Sequence, residues 1–235
     1  MVHNKKSSAE TKTHRKGLKK LSKDKKEITS SLTHLAGAIL ALAGTVVLLI
    51  HSLPKGEGAR NASVLTFGIS MVLLYTASAT YHWVDEAKEK LKLFMRKIDH
   101  MAIFVLIAGT YTPLCVMALD KPSGWILLVS AWGVAFAGFL MKIFWMNAPQ
   151  WISSGLYVAM GWMSVFEIKP LAKALSSGGT FWLAAGGIIY TIGAFIYGLE
   201  RPRINISWFG SHELFHLFVI AGTACHYVMV YAYVA

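Results

Sequence analysis

The run from His34 to Leu53, HLAGAILALAGTVVLLIHSL, contains no Asp, Glu, Lys or Arg. Spanning a bilayer takes about 20 mostly apolar residues in a helix, so this run reads as a transmembrane helix. It is too long for the apolar region of a cleavable signal peptide, about 7–15 residues, and no clear cleavage site follows it. It is therefore expected to stay as the first span of the chain.

Similar stretches recur. Spans are expected near 29–53, 63–84, 98–119, 124–145, 150–168, 179–199 and 212–234. Pro54, Pro122, Pro149, Pro170 and Pro202 fall in or beside the intervening loops, whereas Pro113 lies inside a span and predicts a kink. The composition agrees. Of 235 residues, 55% are hydrophobic and 15% charged, against about 25% charged in a soluble domain. The expected fold is all-α: a polytopic seven-helix membrane bundle at 28–235 behind a basic tail at 1–27. Small residues such as Gly37, Ala41 and Gly44, or Gly133 and Gly138, suit close helix packing.

The formal charge of +11 is concentrated at the start, where the first 27 residues hold ten Lys or Arg and three Asp or Glu. The tail is expected to be disordered and to set topology, and its cations also suit an anionic leaflet. It lacks the aromatic interleaving of a nucleic-acid binder, so no nucleic-acid partner is expected. With the N-terminus inside, one side of the membrane receives eighteen Lys or Arg and the other five. Basic residues favour the cytoplasmic side, which predicts the N-terminus inside and the C-terminus outside. Cys115 and Cys225 both fall in apolar spans and read as buried free thiols.

Ionisable groups inside spans are costly and tend to face the interior of a bundle. Under this topology the end of the second span brings His82, the start of the third brings Asp99, and the start of the seventh brings His212 and His216. All four share one depth at the cytoplasmic end. His212 and His216 are four apart and lie on one helix face, as do Ser78 and His82. Two imidazoles one turn apart plus a third from another helix form a metal chelate with one open position, and zinc suits three imidazoles. A hydrogen-bonded polar layer tying the helices together is the competing reading. His34 and His100 occupy the same layer as alternative ligands or supporting groups. His100 is about 100° around the helix from Asp99, and Asp99 is taken as the inward group. His226 lies about 15 Å deeper than His216. His51 reads as interfacial, His3 and His14 belong to the tail, and Glu213 is expected to face away from the two histidines of its helix.

Ser78-x-x-x-His82, Lys97-Ile98-Asp99-His100, Ala108-Gly109-Thr110-Tyr111-Thr112-Pro113 and Ser211-His212-Glu213-Leu214-Phe215-His216, with His226 following and Thr33-His34 opening the first span, resemble the haemolysin III family. That family is the bacterial branch of the progestin and adipoQ receptor superfamily. The resemblance covers essentially everything after the tail. It implies a cytoplasmic N-terminus, seven helices, and zinc held by His82, His212 and His216. Asp99 would stand close by, with Ser78 beside the site. The superfamily includes alkaline ceramidases, so the resemblance implies a zinc-dependent hydrolase of a membrane lipid, such as an amide, in the bacterial inner membrane. A Lewis acid beside Asp99 as proton carrier suits that chemistry. Two other functions stand beside it: a membrane sensor with structural zinc, and a pore-forming haemolysin, which the absence of a secretion signal disfavours.

Overall fold

A computed structural model describes residues 3–56, 58–204 and 206–235, with side chains from Lys20 onward. The helices are α1 (His3–Ser52), α2 (Gly58–Trp83), α3 (Glu89–Pro113), α4 (Ser123–Phe144), α5 (Gln150–Gly161), α6 (Ile168–Leu199) and α7 (Ser211–Met229). No strand occurs among the described residues. Inside a bilayer the backbone must satisfy its own hydrogen bonds, and only helices or closed barrels do so. Six helical stretches are long and apolar enough to cross: Lys20–Lys55, Gly58–Trp83, Glu89–Ala118, Ser123–Phe144, Gln150–Leu199 and Ser211–Val234. The chain is an integral membrane protein.

Several boundaries differ from the sequence reading. α1 begins at His3, not near residue 29. The division placed after residue 27 falls inside packed structure, because Lys23 pairs with Glu86 at 2.8 Å and Glu27 with Lys92 at 2.7 Å. α3 starts at Glu89, well ahead of the apolar run, since the charged segment 89–97 continues the helix beyond the apolar boundary. Pro170 was expected at a loop but is the third residue of α6. A first-turn residue has no intrahelical partner for its amide, so proline costs no bond there. Pro113 ends α3, and a π-helical turn over Leu114–Ala118 follows it.

The expected spans at 150–168 and 179–199 are joined by helical residues. A 3₁₀ segment, Trp162–Glu167, links α5 to α6, and α6 breaks at Ser176, where φ is 58° and ψ is −178°. The chain doubles back at that break. Trp162 Nε1 donates to Thr191 Oγ1 at 2.9 Å, and a methyl group added at Gly198 would lie 3.2 Å from Ser154 Oγ. As the sequence advances from 154 to 162, the facing residues retreat from 198 to 191. The two halves therefore lie antiparallel.

The other turns have local causes. α1 ends in a 3₁₀ turn, Leu53–Lys55, closed by Gly56 N–H on Leu53 C=O at 3.1 Å. Gly56 has φ of 74°, a left-handed conformation that glycine adopts without steric cost. The helices close a ring in which α1 packs on α2, α2 on α3, α3 on α4, α5 on α6, α6 on α7 and α7 on α1, with α3 also touching α5. Tyr111 fixes that last contact: its hydroxyl donates to the carbonyls of Met160 and Gly161 at 3.0 and 2.7 Å and accepts from Ser164 N–H.

The small residues separate into two kinds. Gly37 lies against the Tyr75 ring, Gly44 against Tyr227 and Gly138 against Phe104, while Gly133 has no neighbour within 4 Å of where a Cβ would stand. Gly138→Val is expected to force Phe104 aside and cost about 1–3 kcal/mol of stability. Gly133→Val should be near neutral. Thermal unfolding of both variants in detergent checks this, and an equal midpoint for the two would contradict the packing described.

Candidate metal centre

The end of α2, the start of α7 and the first span of α1 meet in one layer. His212 occupies the second position of α7 and His216 stands one turn on. Their rings are 4.6 Å apart, centroid to centroid. His82, from the last turn of α2, lies 5.0 Å from the His212 ring and 5.1 Å from the His216 ring. One nitrogen from each of the three falls within 4.8 Å of the others, so the group could hold a metal ion.

The donor set can be tested against zinc chemistry. Zn–N bonds of about 2.0–2.1 Å in a tetrahedral site put ligand nitrogens about 3.3 Å apart. His212 Nε2 and His82 Nε2 are 3.2 Å apart. The opposite nitrogen of His82, Nδ1, meets Glu27 Oε2 at 3.2 Å. With the Nδ1 proton donated to that carboxylate, the Nε2 lone pair faces His212 and the cluster. A carboxylate behind a ligating histidine fixes its tautomer and orientation in this way. Glu27 is held in turn by Lys92, which also donates to Val84 C=O at 3.1 Å.

Asp99 and Ser78 stand side by side, Asp99 on α3 and Ser78 on α2, both buried. Asp99 is outside the three-histidine ligand group, yet it lines the same cavity as Ser78, His212 and His216. His34 stacks on His216 with centroids 3.6 Å apart and planes 12° apart. Neither of its ring nitrogens has a partner among the described residues. His34 is thus in the layer, but not in the ligand group. His100 is buried with Nδ1 unpartnered, and its carbonyl accepts from Tyr157 O–H at 3.1 Å. His226 lies deeper, with Nε2 3.4 Å from Leu183 C=O. His51, at the opposite end, contacts Lys55 Nζ at 3.2 Å.

Glu213 lies outside the three-histidine group; it is buried, and its Oε1 accepts from Ser30 O–H at 2.8 Å. The reason is α1, which packs against that side of α7. Glu27 and Lys92 were not foreseen. A signal existed in the three-to-four spacing of Glu27, Ser30, Ser31 and His34, which puts all four on one face of α1.

Beneath the layer runs a cavity of about 160 Å³. Its wall is mostly apolar, including Ile103, Leu106, Ile107, Val158, Leu183 and Phe215. Tyr190, which also lines it, meets Thr223 Oγ1 at 2.6 Å, as does Tyr75 O–H from the other side. Above the layer is a second, polar vestibule of about 310 Å³, lined by Lys23, Lys26, Glu27, Arg96, Gln150 and Glu213 among others. His100, Tyr197 and His212 border both spaces. Such a site can bind an apolar chain on one side of the histidines and meet water on the other.

Ser30→Ala leaves the buried Glu213 carboxylate without its hydroxyl partner. A loss of about 1–3 kcal/mol is expected, read as a lower unfolding midpoint than that of Ser22→Ala, whose hydroxyl bonds Ser207 C=O at the exposed surface. Indistinguishable midpoints would mean that the buried contact contributes nothing.

The chain is similar to the Hemolysin-3 protein of Bacillus cereus, 38% identical over 210 residues that cover 89% of this chain and 92% of that one. It is similar to the Hemolysin-3 homolog of Bacillus subtilis (strain 168), 35% identical over 209 residues, 89% and 94% of the two chains. A more distant relative is the Adiponectin receptor protein of Drosophila melanogaster, 24% identical over 214 residues, 83% of this chain and 48% of that one. The sequence model described as Haemolysin-III related matches residues 23–227. With that match over most of its length, and with its relatives reaching the adiponectin receptors, the chain belongs to the haemolysin III family.

Proposed function

We propose that this protein is a zinc-dependent hydrolase of a membrane lipid amide, with a place in membrane homeostasis. The observation that carries the reading is the convergence of His82, His212 and His216 within 4.8 Å, beside Asp99 and at the head of a mostly apolar cavity. Zinc held by the three imidazoles would supply a Lewis acid that polarises a carbonyl and acidifies water. The chain's own residues do the rest. The cavity wall holds the acyl chain and excludes water from it. Asp99 takes a proton from the attacking water and returns it to the leaving nitrogen, so that amide and water become acid and amine. Ser78 donates to Asp99 and orients it. Glu27 keeps His82 in the tautomer that presents Nε2.

Purified protein is expected to carry about one zinc per chain, with the metal lost in His82→Ala and His216→Ala. Asp99→Asn should retain zinc while fatty-acid release from lipid amides falls about 10²–10⁴-fold, the usual contribution of a positioned acid–base group. Zinc-loaded protein that cleaves no lipid amide would sink the hydrolase reading.

A structural zinc in a membrane sensor is the second reading, and the unpartnered nitrogens of His34 favour it. As a fourth ligand His34 would close the open position. In that case zinc would exchange slowly and His34→Ala would speed its release, whereas the hydrolase reading expects little change in release from this variant.

The same reading includes seven crossings in a bacterial inner membrane. The reversal at Ser176 supports it by dividing Gln150–Leu199 into two antiparallel passes. The N-terminus then lies inside and the C-terminus outside, as the eighteen-to-five distribution of Lys and Arg favours. Alkaline phosphatase fused after Ala235 should be active, and the same fusion after Arg203 inactive. The reverse pattern would overturn this topology.

A further inference from the structure

The three clustered histidines come from two helices whose backbones are not packed on one another. His82 is on α2, and His212 and His216 are on α7. α1 packs on both of these helices, whereas α2 and α7 do not form a packed pair. α1 is therefore the element common to the two halves of the cluster. It supplies no member of the group that could hold a metal, which is His82, His212 and His216. What it supplies instead are side chains on the far edges of the rings.

Glu27 is one of these, at His82 Nδ1. Thr33, about 9 Å further along α1, is the other, and its Oγ1 lies 3.4 Å from His216 Nδ1. Counting protons gives this second contact a direction. A hydroxyl has one proton to donate, and Thr33 O–H donates it to Ser30 C=O at 2.9 Å. The Thr33 oxygen is left to accept. Its contact with His216 is then a hydrogen bond only when Nδ1 carries the ring proton. A neutral imidazole with its proton on Nδ1 keeps its lone pair on Nε2. The Nδ1 edge of His216 faces α1, so Nε2 is the nitrogen left for a metal.

We infer that Thr33 is a positioning residue of the metal centre: its hydroxyl oxygen accepts the Nδ1 proton of His216 and so turns Nε2 of that ring toward the metal. The inference rests on the zinc reading. It gives α1 one acceptor for a ligand from each helix, Glu27 for His82 on α2 and Thr33 for His216 on α7. The two acceptors differ in kind. The Glu27 carboxylate is charged and adds to the basicity of its histidine, whereas the neutral Thr33 hydroxyl fixes tautomer and orientation. Metal affinity thus depends on a helix that contributes no ligand.

The test measures zinc binding, not cleavage. The full chain in nanodiscs competes with a chelator for zinc. Thr33→Val, which keeps the branched shape and loses the hydroxyl, should weaken zinc binding roughly tenfold or more, the usual effect of removing the group that orients a ligating histidine. Thr33→Ser, which restores the hydroxyl, should restore the affinity. Thr29→Val, on the same helix, loses a hydroxyl that bonds Lys25 C=O at the exposed surface at 3.0 Å, and should leave zinc binding unchanged. Equal affinity in Thr33→Val and the parent overturns the inference, as does a loss that Thr33→Ser or Thr29→Val shares. A second measurement needs no variant. Nuclear magnetic resonance of the zinc-loaded parent with isotope-labelled histidine should show His216 bound through Nε2 and protonated at Nδ1, and a metal bond to Nδ1 overturns the inference. A parent chain that binds no zinc removes this inference together with the zinc reading. A parent that binds zinc with the same affinity as Thr33→Val removes this inference alone. Failure of the amide assay leaves these affinities untouched.

Discussion

A polar group inside a bilayer has no water to turn to, so it must find its partner within the protein. That constraint organises the bundle. Tyr75, Thr223 and Tyr190 share one hydroxyl cluster and thereby tie α2, α7 and α6. Tyr111 ties α3 to the end of α5. Lys142, buried in α4, donates to Ser153 of α5 at 2.6 Å. Each bond joins helices that are otherwise held only by apolar and small-residue packing. The constraint is left unmet at both ring nitrogens of His34, at His100 Nδ1 and at Glu213 Oε2, and also at Ser154 Oγ and at the deeper His226 Nδ1.

The carboxylates show the same economy at the polar end. Glu27 reaches His82 and Lys92 together. It therefore joins α1 to α2 and to the charged start of α3, and sets the direction in which His82 presents its lone pair. Glu213 engages Ser30 and joins α7 to α1. These contacts explain why the basic start of the chain is continuous with the bundle as far out as Lys23. Lys23 there is the partner of Glu86, in the turn between α2 and α3.

Much of this was legible in the sequence. The apolar runs placed both ends of α4 and the end of α2 to within one residue, where the ends coincide with a change in polarity. The common depth of His82, Asp99, His212 and His216 followed from alternating direction along the chain, and the histidines do converge. The four-residue spacing put His212 and His216 on one face without any tertiary information. What stayed hidden depends on which helix packs against which. Glu213 could not be placed without knowing that α1 covers that side of α7. The join between α5 and α6 was hidden for another reason: Lys169 and Pro170 look like a loop, yet both residue types are tolerated in a first helical turn. The reversal comes instead at Ser176, within Leu175-Ser176-Ser177-Gly178-Gly179, where small polar residues and glycines replace the apolar run.

The position of the histidine layer follows from these packings. It lies where the apolar cavity ends and the polar vestibule begins, and His212 borders both. A hydrolase acting on a lipid faces two demands that conflict: its substrate is stable only in apolar surroundings, whereas its co-substrate is water. A site deeper in the bundle, at the level of His226, would hold the chain but starve the reaction of water. A site further out, at the level of Lys26, would be wet but could not hold the chain. On the proposed reading the start of α7 would meet both demands: His212 borders vestibule and cavity alike, and His216, one helical turn on, lines the cavity alone. On the proposed reading, the H-x-x-x-H spacing therefore does more than chelate. It sets the ligands across the boundary at which water and lipid meet.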